Sequence, residues 1–319
     1  MLLLPLTGLA MSYVFLAFKS LWLFMAGRLI GGFFFGSLPV AQASIIDVTE
    51  ETQRAKYIGY IMFFVSLGYV VGPLIGGYLS DPALVPWFTL QTPFIFVAAL
   101  SVVNFLILLF LFQDQKADVD SLATMFPNPI TNLLDAVKIR DIRTYALLLL
   151  LMLMGWNTFF QFIGLYLTVR LGFGQQEVSS FVSWAGFGLA LTFLFLVGVA
   201  MKMLKPVGMV GLALALMAFC IGGTLLNTHP YVLYLLEVLG AVGFGLSYSG
   251  LMAQLSISVD ASKQGPIMGM AAAIAAFSAG FSGFAFGFVA NINAPIMSAL
   301  FCVGLAIIIC CKKQFGRYI

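Results

Sequence analysis

A chain of 319 residues with 62% hydrophobic residues, 8% charged residues and a mean hydropathy of +1.07 is not an ordinary soluble protein, in which about a quarter of residues are charged. Its 15 Lys and Arg and 12 Asp and Glu leave a net charge of +3, spread too thinly between apolar runs for nucleic-acid binding. One histidine, His229, and four cysteines without metal-ligand spacing argue against an enzyme, a metal centre or a bound cofactor, and no Gly-x-x-x-x-Gly-Lys-Ser/Thr loop occurs.

Ten apolar segments follow one another. They run from Leu2 to Phe18, Leu21 to Ile46, Tyr57 to Leu79, Trp87 to Phe112, Tyr145 to Val169, Val178 to Val199, Val207 to Leu226, Tyr231 to Val259, Pro266 to Ala290 and Ala294 to Cys311. Most approach the ~20 residues that cross a hydrocarbon core, and none alternates as barrel strands do. The expectation is an all-α polytopic membrane protein of about ten transmembrane helices, with the bilayer as its main partner. The connection from Gln113 to Thr144 is the longest. It carries Asp114, Asp118, Asp120, Pro127 and Pro129, then an amphipathic stretch from Asn132 to Arg140. It predicts a linker over 113–144, with a helix on the membrane face, between a four-helix bundle at 1–112 and a six-helix bundle at 145–319.

Lys and Arg set the expected orientation. With the start of the first helix in the cytoplasm, Arg54, Lys56, Lys116, Lys138, Arg140, Arg143, Lys202, Lys205, Lys263, Lys312, Lys313 and Arg317 fall inside, and Lys19 and Arg170 outside. Both termini are then cytoplasmic, and a bacterial inner membrane fits this bias.

The second and eighth segments repeat a pattern. Arg28 precedes Gly31 and Gly36 by three and eight residues, and Glu237 precedes Gly240 and Gly245 by the same intervals. Each segment leads through a short polar loop into a glycine-rich span. A repeat in the same direction is one of the known transporter architectures.

Within that repeat, Gly27-Arg28-Leu-Ile-Gly-Gly32, the loop from Asp47 to Gly59 and Gly68-Tyr-Val-Val-Gly72-Pro73-Leu-Ile-Gly76-Gly77 resemble the major facilitator superfamily. They are most similar to its drug:proton antiporters, including tetracycline exporters. The resemblance implies two bundles with a parallel repeat, and a chain that starts at the family's third helix. It also implies proton-coupled efflux of a small amphipathic molecule by alternating access, with that molecule and protons as partners. It gives Gly68, Gly72, Pro73, Gly76 and Gly77 the place of the antiporter motif. A second reading is a truncated, non-transporting remnant or a substrate-binding regulatory protein of the same fold.

Few residues are polar enough to carry chemistry. Arg28 lies ~10 Å along its helix, where a charge costs about 2.5–3.5 kcal/mol at bilayer centre. It is either a charge that biases proton release or a snorkelling residue. Glu237 is the acidic residue well inside a span, either a proton carrier or a structural group. The fifth segment sets Asn157 and Gln161 four apart on one face, with Trp156, Phe160 and Tyr166 nearby. Amides beside aromatics fit a binding site for an amphipathic ligand, or else hydrogen bonds between helices. Asp47 and Arg54 flank a cytoplasmic loop where a charge contact would form a gate.

Overall fold

The structure, a computed structural model, describes residues 3–34, 51–111, 140–259, 264–287 and 291–315. Among these, the regular secondary structure is helical. The helices are α1 (Leu3–Leu16), α2 (Leu21–Phe33), α3 (Glu51–Leu79), α4 (Thr92–Leu111), α5 (Arg140–Leu171), α6 (Gln175–Met203), α7 (Pro206–Leu226), α8 (Pro230–Ile257), α9 (Gln264–Phe286) and α10 (Ala294–Phe315). An apolar chain in lipid must satisfy its backbone internally, and a helix does so within one segment. Among the described residues seven helices, α4 to α10, are long and apolar enough to cross a membrane. The helices α1 and α2 and the Phe63–Leu79 part of α3 are shorter apolar helices.

Helix ends follow local chemistry. Pro206 and Pro230 occupy the first turns of α7 and α8, where the missing N–H would be unpaired anyway. Gly172, at φ 71°, ends α5 in the left-handed region that only glycine adopts without penalty. Its N–H bonds Thr168 O at 3.1 Å. The helix α5 starts at Arg140 rather than near Tyr145, so the expected linker over 113–144 gives up its last residues to α5. The rest of that linker lies outside the described residues.

The chain forms two units: residues 1–117 with 175–180, and residues 118–174 with 181–319. In the first, α1 packs on α2 and α4. The Ser12 hydroxyl donates to Gly27 O at 2.7 Å, and a Cβ on Gly27 would come within 2.9 Å of Ser12 O. Glycine is therefore required for that approach. In the second unit, α7 packs along α8 while α5 lies against α9 and α10. Gly243 plays Gly27's part here: its Cβ would lie 2.8 Å from Ala213 O of α7. The glycine three residues after the ionisable residue also faces the preceding helix in both cases. Gly31 meets Ser12 of α1, and Gly240 meets Cys220 of α7.

At one end of the second unit Lys313 of α10 bonds Asp141 of α5 at 2.6 Å, and its ammonium sits 4.1 Å above the Tyr145 ring. The Lys313 side chain is 11% exposed. Lys313→Met is expected to lower the unfolding stability of the protein in detergent by about 1 kcal/mol through loss of both contacts. A thermal melt followed by near-ultraviolet circular dichroism checks this, and an unchanged midpoint would show that the contact is incidental.

Candidate functional site

The second unit brings an acid and a run of aromatic rings onto neighbouring turns. Glu237, on α8, is 2% exposed, and neither carboxylate oxygen has a hydrogen-bond partner among the described residues. It lies within electrostatic reach of Cys220 on α7. Gly240, Phe244 and Tyr248 follow at three, seven and eleven residues, on the same face of α8. A Cβ on Gly240 would lie 3.8 Å from the Trp156 ring, so the indole of α5 seats against bare backbone one turn from the acid.

From that seat the rings stack in a column. Trp156 lies 4.8 Å from Phe244 with planes 15° apart, and 5.8 Å from Phe160 with planes 21° apart. Phe244 and Tyr248 are 5.9 Å apart at 24°. Trp156 is buried, while Phe160, Phe244 and Tyr248 are half-buried. Offset stacking of this kind is worth about 0.5–1.5 kcal/mol per pair beyond area burial.

The amides of α5 have found helix partners. Asn157 Nδ2 donates to Ser278 Oγ at 3.2 Å, and Gln161 Nε2 donates to Ala279 O at 3.0 Å. Between them Thr158 Oγ1 meets Ser282 Oγ at 2.9 Å. The glycine-rich α9 admits this seam, since Gln161 Oε1 lies 3.0 Å from where a Gly283 Cβ would stand. Gln161 is itself exposed. Tyr166 is buried, its hydroxyl 3.4 Å from Thr224 O, and it lies under the Arg170 guanidinium.

In the first unit Arg28 is exposed and stacks 5.5 Å over Phe24. Phe24, with Pro73, Gly76, Gly77, Gln91 and Phe94, lines a pocket of about 520 Å³. Pro73 lies inside α3 without ending it. Of the glycine series only Gly77 makes a close approach among the described residues: its Cβ would come 2.6 Å from Ser179, whereas at Gly68, Gly72 and Gly76 nothing lies within 4 Å. Asp47 and the Arg54 side chain lie outside the described residues.

Residues 1–284 match the family model of the Major Facilitator Superfamily. The chain belongs to the major facilitator superfamily. It is a multi-pass membrane protein of that superfamily's all-α fold. Among its relatives, the class B tetracycline resistance protein of Escherichia coli is 28% identical over 325 residues, covering 96% of this chain and 75% of that protein. The quinolone resistance protein NorA of Staphylococcus aureus is 26% identical over 176 residues, covering 55% of this chain and 43% of NorA. Solved structures agree in fold. The human organic anion transporter MFSD10 (TETRAN) superposes with a TM-score of 0.65 at 20% identity, covering 97% of this chain and 76% of that one. The Escherichia coli fucose:proton symporter FucP gives 0.60 at 14%, covering 97% and 82%.

Phe244, Tyr248, Ser278 and Ser282 join the candidate site in the structure and are not singled out by the sequence. The spacing of Glu237, Gly240, Phe244 and Tyr248 on one helical face is the signal that marks the first two.

Proposed function

We propose that this chain is a secondary transporter that exports a small, flat, amphipathic molecule in exchange for protons by alternating access. It works in a bacterial inner membrane with both termini in the cytoplasm. The observation that carries the reading is a buried Glu237, without a hydrogen-bond partner among the described residues, one turn from a half-buried aromatic column. An unpartnered carboxylate is costly to bury and the neutral acid is cheap. Gain and loss of a proton therefore change how well α8 fits its surroundings, which is the differential a coupled transporter needs. The column supplies flat apolar faces, and the exposed edge of Gln161 supplies hydrogen bonding. The tetracycline and quinolone resistance relatives support this substrate class. Arg28, over Phe24, is the charge that biases proton release.

Proteoliposomes with an imposed pH gradient test the reading, with tetracycline as the first probe. Gradient-driven uptake that collapses with a protonophore is expected. Binding of tetracycline without gradient-driven movement would favour a binding protein of the same fold. Arg28→Gln is expected to lower the gradient-driven rate by about tenfold while the protein keeps its melting temperature, because the residue is exposed and buries no core. An unchanged rate would make Arg28 a snorkelling residue.

A further inference from the structure

The helix α6 is not one continuous α-helix. Its first arm, Gln175–Leu191, passes into a π-helical turn at Thr192–Leu196, and a second arm, Val197–Met203, follows. The Val197 N–H closes the wide turn on Thr192 O. No proline breaks this stretch, which reads Leu-Thr-Phe-Leu-Phe-Leu-Val. At the start of the turn the Thr192 hydroxyl donates to Gly188 O at 2.7 Å. It competes for the carbonyl that its own N–H would take in a regular turn, and such back-bonding loosens and bends helices.

The two arms meet different surroundings. In the first, Phe181, Ser183, Ala185, Gly186, Gly188 and Leu189 are buried. A Cβ on Gly188 would lie 2.7 Å from Val238 O and 3.0 Å from Ala241 Cβ, and one on Gly245 would lie 2.8 Å from Thr192 Cγ2. Backbone thus meets backbone along α6 and α8, beginning at the residue next to Glu237. The second arm has no buried residue. Met203 is 77% exposed, and a Cβ on Gly198 would meet nothing within 4 Å. An arm packed backbone to backbone on α8 and an arm in lighter contact with α7 and α8 are joined by the turn type at which helices kink and which recurs at functional sites.

We propose that Thr192–Leu196 is a joint about which the Val197–Met203 arm swings while the first arm stays fixed to α8 beside Glu237. Its purpose rests on the transporter reading: the swing opens and closes one end of this unit, while the seam at Val238 and Gly188 holds the first arm against the helix that bears Glu237. The joint itself is a property of the fold.

Spin labels on Phe187 and Met203 measure the bend, using the full chain in lipid nanodiscs with its four cysteines replaced by alanine. The two sites are about 24 Å apart along a straight helix. A control pair, Leu212 and Leu226, lies about 21 Å apart on the uninterrupted α7. The distance distribution across the joint is expected to be at least about twice as wide as the control. Deleting Leu194, which is 48% exposed, removes the extra residue. That variant is expected to narrow the distribution to the control width and to lower tetracycline-driven proton flux by about tenfold. A wild-type distribution as narrow as the control overturns the joint, whether or not the deletion variant folds. If the wild type moves no tetracycline at all, the transporter reading fails, and the label widths still decide the joint.

Discussion

Glu237→Gln is expected to abolish gradient-driven tetracycline movement in proteoliposomes while leaving the protein folded and able to bind the drug. Glutamine keeps the shape of the neutral acid but cannot take up or release a proton. Because neither carboxylate oxygen has a hydrogen-bond partner among the described residues, the substitution breaks no bond there. A charged carboxylate without partners is expensive inside a protein, whereas an amide is much less so. The melting temperature should therefore hold or rise. Loss of flux together with a large fall in stability would mean that Glu237 is structural. Retained flux would move the coupling role to another residue.

Trp156→Ala is expected to weaken tetracycline binding by at least about tenfold and to destabilise the protein by about 3–5 kcal/mol. The indole stacks on Phe160 and Phe244, meets the Phe159 ring and fills the space over Gly240, so alanine removes three ring contacts and opens a cavity beside the acid. Trp156→Phe keeps the stack and should recover most of both losses. Equilibrium dialysis with labelled tetracycline separates the two effects. If Trp156→Ala binds as the wild type does while melting lower, the column is a packing device and the ligand sits elsewhere.

The helices were legible because each is a continuous apolar run whose backbone has no alternative in lipid, and because Pro206 and Pro230 mark entries that any reading of the chain would respect. The start of α5 was harder. Residues 140–144 look like a loop until Asp141 meets Lys313, a partner 172 positions away that composition cannot reveal. Asn157 and Gln161 do share a face, but their partners Ser278 and Ala279 belong to a helix whose register against α5 is a tertiary fact. Phe244 and Tyr248 were hidden in a chain that is 15% aromatic, where a ring is ordinarily a packing or lipid-facing residue. Of the glycines of the α3 motif, only Gly77 approaches a neighbour closely among the described residues. The π-turn of α6 carries no proline or glycine at 192–196, and no pattern in the sequence announces it.

The central claim is that one carboxyl exchanges its proton for substrate. Proton release on adding tetracycline to purified, weakly buffered protein, followed with a soluble pH dye, addresses it without a membrane. The wild type is predicted to release protons in proportion to the drug bound, and Glu237→Gln to bind drug and release none. Equal release from both proteins, or drug binding with no release from the wild type, would contradict the account.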